Sequence, residues 1–251
     1  MSSISVSVVI PAYNAERYLP QTIASVVAQT HENWELLVAD DCSTDGTRRV
    51  VAQHTADDAR IRLIALAQNG GPAMARQAAL SAARGRFIAF LDADDLWLPE
   101  KLRRQLAFMQ STGAAFSCTA FRRISADGCR VGRVVRVPPR LTYGQLLGNT
   151  AVATSTAILD RQLTGPFRMT KTYYDDFALW LEITRRGFPV SGLNEDLMRY
   201  RVVAGSVSRS KARSAAMVWR TYREVERLGL LRSSWSFARY AVNAVRKYRT
   251  F

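Results

Sequence analysis

Phe87-Ile88-Ala89-Phe90-Leu91-Asp92-Ala93-Asp94-Asp95 is an apolar run that ends abruptly in three carboxylates. Such a run, following Gly85 and ending in charge, predicts a strand with carboxylates at its end. Upstream the pattern recurs: residues 34–39 are apolar but for Glu35 and lead into Asp40-Asp41. In an open parallel sheet the carboxyl ends of the strands line the ligand crevice. Two acidic loops there point to a nucleotide and to the divalent metal that neutralises its diphosphate.

Working outward, strand-like and helix-like segments alternate, the pattern of βαβ units. Residues 4–10 form a β-branched strand ended by Pro11, and Leu19, Ile23, Val26 and Val27 have helical spacing within 19–29. Asp45-Gly46 turns the chain into a helix through about 56; a strand follows over 61–66 and an alanine-rich helix over 73–83. Beyond the acidic cluster Pro99 opens a helix through about 110, with strands at 114–121 and 129–137. Residues 155–159 and 197–202 also read as strands, and 177–186 as a helix closed by Gly187. A Gly/Ser-rich stretch, 205–210, marks a boundary between residues 1–205 and a tail, 206–251, with helices over 212–227 and 234–247. The fold class is therefore α/β, a mostly parallel sheet flanked by helices, with a basic helical extension.

The 251 residues carry a formal charge of +14, of which residues 205–251, with 11 Lys+Arg against 2 Asp+Glu, supply +9. An anionic partner is expected: nucleic acid, an acidic membrane face or a phosphate-bearing substrate. No stretch approaches the roughly 20 apolar residues that span a bilayer, and the first residues lack the charged flank and cleavage site of a signal peptide. A cytoplasmic protein is expected. Cys42, Cys118 and Cys129 have no metal-ligand spacing and read as reduced thiols.

Asp92 and Asp94, two apart on an extended segment, point the same way, and with Asp95 they suit Mg²⁺ or Mn²⁺ shared with diphosphate oxygens. The competing reading is a solvated turn in which one aspartate caps the next helix. Three carboxylates in four positions favour the metal, since crowded like charges repel unless a cation is present. Asp41 suits the N–H or O–H of a base or sugar, Tyr13 can stack on a nucleobase, and Asn69-Gly70-Gly71-Pro72 with Arg76 offers backbone and a cation to phosphate.

Three stretches together carry a resemblance: Val8-Val9-Ile10-Pro11-Ala12-Tyr13-Asn14, Ala39-Asp40-Asp41-Cys42-Ser43-Thr44-Asp45-Gly46-Thr47 and Ala89-Phe90-Leu91-Asp92-Ala93-Asp94-Asp95. In order and spacing they resemble the signatures of family 2 glycosyltransferases over residues 4–205, weakening after 106. The resemblance implies the GT-A fold, a Rossmann-like nucleotide-binding sheet, and transfer of a sugar from a nucleotide diphosphate, commonly a uridine one, with inversion. It implies that Asp41 contacts the base, that Pro11, Ala12, Tyr13 and Asn14 line the nucleotide pocket, and that Gly71, Arg76 and Asp94 lie along the nucleotide's phosphates. Asp92, Asp94 and Asp95 match the metal cluster. Cys42 stands where the family usually has glycine or asparagine, and Gln77 where asparagine is usual.

An inverting transfer needs a general base. Tyr174-Asp175-Asp176-Phe177 resembles the family's acidic pair, usually Glu-Asp, and Asp176 matches the base. In the tail, Trp235, Ala238, Val242 and Val245 share one helical face. That face suits an anionic membrane surface or packing on the catalytic domain, and both readings stay open here. Residues 206–211 and the tail are similar to bacterial transferases that build capsule or teichuronic-type polysaccharide on a lipid carrier, so a glycan acceptor, polyprenyl-diphosphate-linked, is a candidate partner. The expected place is the cytoplasm, at the inner face of the cell membrane.

Rival readings are a haloacid-dehalogenase-type phosphatase, whose Asp-x-Asp is imitated by Asp92-Ala93-Asp94 but which wants Thr or Val at Leu96, and a non-enzymatic binder of an anionic polymer through the tail. A dinucleotide oxidoreductase lacks its Gly-x-Gly-x-x-Gly. No nucleic-acid-binding signature accompanies the basic tail.

Overall fold

The computed structural model describes residues 5–203 and 211–248. The Gly/Ser-rich stretch expected as a boundary, 205–210, lies outside them.

β1 (Val6–Ala12) is the β-branched run read from sequence, and it sits centrally because it is apolar on both faces. It pairs in parallel with β2 (Trp34–Asp40) on one side and β4 (Phe87–Phe90) on the other, with Val6 opposite both Trp34 and Phe87. The chain first winds outward through α1 (Leu19–Val27), β2, α2 (Thr47–Asp57) and β3 (Ile61–Ala65), which pairs in parallel with β2. Helix α3 (Pro72–Ala82) then carries it back across to β4. The direction of winding reverses between β1 and β4, the switch point at which open α/β sheets bind ligands.

Beyond β4 come β5 (Leu96–Trp97), α4 (Lys101–Thr112), β6 (Phe116–Ser125), β7 (Val131–Val135), β8 (Arg140–Leu141) and α5 (Tyr143–Leu146). They are followed by β9 (Ile158–Asp160), α6 (Arg161–Thr164), α7 (Asp175–Arg185) and β10 (Val190–Val202). The sheet order is β3-β2-β1-β4-β9-β6-β10-β5, with β7 on β6 and β8 on β10. The long pairings, β1 with its neighbours, β2 with β3 and β6 with β10, are parallel, so the sheet is mostly parallel as expected. Strand β9 enters antiparallel between β4 and β6.

Alternation along the strands divides the core in two. Val9, Leu37, Ala39, Ile88 and Phe90 face α3 and α7; Val8, Ile10, Leu36, Val38 and Ala89 face α1 and α4. Each fully buried Val, Leu or Ile contributes on the order of 1.5–3 kcal/mol, so both layers are needed. In α1 the buried positions are Leu19, Thr22, Ile23 and Val26, one stripe against the sheet.

Two expectations differ. Residues 154–156 form a single 3₁₀ turn rather than the start of a strand, and the strand begins at Ile158. The last strand is longer than 197–202 and starts at Val190, because bulges between Leu193 and Arg199 break the alternation that marks a strand in sequence.

The tail comprises α8 (Lys211–Arg220), a π-turn (Thr221–Val225) and α9 (Leu230–Tyr248). Val218, Tyr222 and Leu228 join the same buried cluster as Phe177 and Trp180 of α7. No helix among the described residues is long and apolar enough to cross a membrane.

Candidate active site

The carboxyl ends of β1 and β4, the start of α3, the 3₁₀ turn and the start of α7 surround one cleft of about 1220 Å³. Pro11, Tyr13, Asn14, Arg76, Asp92, Asp94 and Asp176 all line it, seven residues expected from sequence at one nucleotide and catalytic site. Tyr13 is half exposed, its ring available for stacking.

Asn14 does a second job. At φ +48° it occupies the left-handed region that asparagine tolerates; its N–H donates to Ser43 Oγ at 2.9 Å and its Oδ1 accepts from Thr44 N–H at 2.9 Å. These bonds tie the loop after β1 to the loop after β2. Cys42, at φ +62°, explains why glycine or asparagine is usual there: the turn demands a left-handed residue.

Asp41 and Ala12 are buried and Gly71 half-buried beside the cleft, none of them among its lining residues. Its two carboxylate oxygens accept the N–H groups of Gly70 and Gly71, each at 2.7 Å. Gly71, at φ +87°, is the residue before α3, so Asp41 pins the backbone that launches the helix carrying Arg76. A carboxylate has further lone pairs, so this anchoring leaves room for a base N–H as well.

Arg76, one turn into α3, is 8% exposed and its Nη2 donates to Asp92 Oδ1 at 2.5 Å. Burial works against its charge, but Asp92, Asp176 and Asp175 outweigh burial and hold it more firmly protonated than a free arginine. Its Nε–H is buried with no acceptor in the protein, an orphan donor beside the cleft and a fit for a phosphate oxygen.

Of the acidic cluster, Asp92 and Asp94 line the cleft, as their spacing predicts. Asp94 is pushed up to about 6, by burial first and then by the charge of Asp92. Asp95 departs from its expected place on the metal. It is 1% exposed, Oδ1 accepts from Arg201 N–H at 2.8 Å, and Oδ2 accepts from Ser155 Oγ at 2.5 Å. The cause is a turn closed by Asp95 N–H to Asp92 C=O at 3.2 Å, which sends Asp95 inward. Burial, then Asp94 and Asp92, keep Asp95 well above the usual carboxylate range.

Among the described residues no group of three or more His, Cys, Asp or Glu is assembled to hold a metal unaided. The pair Asp92 and Asp94 nevertheless fits a hard divalent ion. Such ions are commonly held by one or two carboxylates plus substrate phosphates, and the repulsion that raises Asp94 is what a shared cation relieves.

Asp176 lies in the first turn of α7, where the helix dipole favours negative charge; the N-cap is Tyr174, not either aspartate. Its Oδ2 accepts from Thr154 Oγ1 and its Oδ1 from Phe177 N–H at 2.7 Å. Burial raises its pKa above the ordinary carboxylate value, with Arg76 and Thr154 pulling the other way. Asp175 is turned back onto Thr172 N–H at 2.6 Å, and burial raises it too.

Sequence reasoning missed several contributors. Thr154 holds Asp176, and Ser155 holds both Asp95 and the Asp92 N–H, at 3.0 Å. Arg201 donates to Asp94 C=O at 2.8 Å and to Gln21 Oε1 at 2.8 Å, bracing the acidic turn. Tyr173, Arg213, Met217 and Arg220 bring the segment before α7, and the tail, to the cleft. No local motif marks them, since each acts across a long sequence separation.

Known proteins resemble this chain in sequence and in fold. Residues 7–168 match the family model described as glycosyl transferase family 2. The chain is 42% identical over 243 residues to a Bacillus subtilis protein named as a teichuronic acid biosynthesis glycosyltransferase, TuaG, covering 96% of each. It is 38% identical over 221 residues, 87% of this chain and 85% of the other, to the Escherichia coli UDP-Glc:alpha-D-GlcNAc-diphosphoundecaprenol beta-1,3-glucosyltransferase WfgD. Among solved structures, S. aureus TarS in complex with UDP-GlcNAc superposes with a TM-score of 0.69 at 20% identity, covering 94% of this chain and 71% of that one. The mannosyltransferase PcManGT from Pyrobaculum calidifontis, in complex with GDP-Man and Mn²⁺, gives 0.70 at 18% identity, covering 97% and 75%. These structures share the GT-A fold.

Proposed function

Because the chain belongs to the family 2 glycosyltransferases, we propose that it moves a sugar from a uridine diphosphate donor, with inversion, to a hydroxyl of a lipid-linked glycan acceptor in cell-surface polysaccharide synthesis. The observation that carries this reading is one cleft lined by Arg76, Asp92, Asp94 and Asp176. Relatives support the finer terms, since WfgD is named for a UDP-Glc donor and a diphosphoundecaprenol-linked acceptor. Family membership leaves the phosphatase and polymer-binder alternatives without support.

In this reading Tyr13 and Pro11 cover the base, and Asp41 accepts its N–H. Arg76 turns its unpaired Nε–H to the diphosphate. Asp92 and Asp94 would hold Mn²⁺ or Mg²⁺, which would supply positive charge to offset that on a diphosphate. Asp176 takes the proton of the acceptor hydroxyl as that oxygen bonds to the anomeric carbon and the bond from that carbon to the diphosphate oxygen breaks. A base with a raised pKa is matched to this task near neutral pH. Arg220 and Arg213, at the same cleft, suit the phosphates of the acceptor, and the site of action is the inner face of the cell membrane.

The test is incubation with a panel of UDP-, GDP- and dTDP-sugars, Mn²⁺ and a polyprenyl-diphosphate-linked acceptor, with products separated by mass. Transfer from a UDP-sugar alone supports the reading. Transfer only from a GDP- or dTDP-sugar overturns the uridine assignment, and transfer only to a free sugar overturns the lipid-linked acceptor.

A further inference from the structure

The tail helix α9 is held by one face and bare on the other. Phe237 meets Trp219 of α8 edge-on, ring centroids 5.6 Å apart, and lies against Tyr240 at 5.7 Å with the rings tilted by 40°. Ser233 and Ser236 are buried, Asn243 Nδ2 donates to Gly148 C=O at 2.8 Å, and a Cβ on Gly148 would stand 2.9 Å from that of Arg239. That close approach fixes how the helix is rotated. The opposite face presents Leu231, Trp235, Ala238 and Val242, whose spacing of four, three and four makes one straight stripe of about 16 Å. Leu231 is 89% exposed, Trp235 68% and Val242 52%, and Leu230 widens the stripe at 63%. Packing on the catalytic domain, one of the two readings of this face, is therefore excluded for Trp235, Ala238 and Val242; the side chain of Val245 lies outside the described residues.

A contiguous apolar stripe of this kind marks an interaction surface. Charge selects its occupant. Arg232, exposed, stands beside the stripe; Arg239, seven on, packs over Gly148 and donates from Nη1 to Gly144 C=O at 3.3 Å, and Arg246 follows seven further in sequence. Residues 205–251 carry 11 Lys+Arg against 2 Asp+Glu. A second copy of the chain would bring the same positive charge against itself, whereas anionic headgroups complement it, and a tryptophan with flanking arginines is the composition of a helix lying in a bilayer interface.

We propose that the outward stripe of α9, Leu231, Trp235, Ala238 and Val242, docks this protein on an anionic lipid bilayer. Through the Trp219–Phe237 contact α9 is fastened to α8, whose Arg213, Met217 and Arg220 line the catalytic cleft. Docking thus brings the acceptor end of the cleft beside the membrane. The docking itself does not depend on which sugar is moved.

The experiment is sedimentation of the full chain with vesicles of phosphatidylglycerol and phosphatidylcholine, or of phosphatidylcholine alone, in low and high salt. The variant Leu231→Ser/Trp235→Ser/Val242→Ser is compared, with nucleotide-sugar binding to both proteins measured without lipid. Docking predicts strong binding to the anionic vesicles only, at least a tenfold loss in the variant and in high salt, and unchanged donor binding. Equal binding by the variant, equal binding to neutral vesicles, or a wild-type chain that stays in solution overturns it. So does a dimer, detected by sedimentation equilibrium without vesicles, that the variant abolishes. A failure of transfer to every lipid-linked acceptor with vesicle binding intact would remove the proposed acceptor and leave the docking standing.

Discussion

Thr154 donates its hydroxyl to the carboxylate of Asp176, while its neighbour Ser155 accepts the Asp92 N–H and donates to Asp95. Two consecutive residues of one short turn thus hold the candidate base and the acidic loop in register. The turn is itself fastened, since Gln105 Nε2 donates to Thr156 C=O at 2.9 Å and Trp97 Nε1 to Ser155 C=O at 2.7 Å.

A base must be ionised to act, so kcat should fall as pH drops through the pKa of Asp176, which burial has raised. Thr154 stabilises the charged form. Thr154→Val should therefore move the acid limb of the kcat profile to higher pH and lower kcat about tenfold at neutrality, while Thr154→Ser restores both. Profiles of the three proteins check this, and an unmoved limb in Thr154→Val would count against Asp176 as the base. Asp176→Asn should abolish transfer with nucleotide binding retained.

Asp92 and Asp94, two apart on one loop at the cleft, repel one another, so a chelator should silence transfer and added Mn²⁺ or Mg²⁺ should restore it. Asp94→Asn should lower kcat at least a hundredfold and weaken Mn²⁺-dependent binding of UDP, read by calorimetry with and without the ion. Asp95→Asn should act differently, destabilising the fold by about 1–3 kcal/mol through lost bonds to Ser155 and Arg201. Full activity in excess chelator would remove the metal from the scheme.

Asp41 anchors Gly70 and Gly71 with both oxygens. Asp41→Ala leaves two N–H groups without their acceptor, at a cost of about 1–3 kcal/mol each where no water replaces it. The expected outcome is a lower melting temperature together with a rise in KM for the donor that exceeds the fall in kcat, measured by steady-state kinetics.

Cys42 holds a left-handed conformation that costs a side-chain-bearing residue roughly 1–2 kcal/mol. Cys42→Asn should stabilise the protein by about 0.5–1 kcal/mol and raise Tm by a few degrees at unchanged activity. Thermal unfolding checks it, and a lower Tm would show that the thiol contact with Leu66 C=O, at 3.2 Å, matters more than the backbone.

The sheet and the acidic loops were legible because their signals are local. Apolar runs buried on both faces announce parallel strands, and the switch between β1 and β4 follows from the order of strands and helices. Asp92 and Asp94 could be paired from a spacing of two; Asp95 could not be separated from them, because its partners Arg201 and Ser155 lie 106 and 60 residues away.

By itself the amino-acid order determined which residues gather at the strand ends and what family they resemble, since strand period and motif spacing are properties of neighbouring residues. Tertiary structure alone decided that Asp95 turns inward, that Thr154 holds Asp176, and that the tail helix shows Leu231 and Trp235 to the outside. Helical periodicity defines faces, but α9 carries aromatic residues on two of them. Which one is buried depends on the surface it meets, here Gly148 and Trp219, and contacts across such separations leave no mark on local pattern.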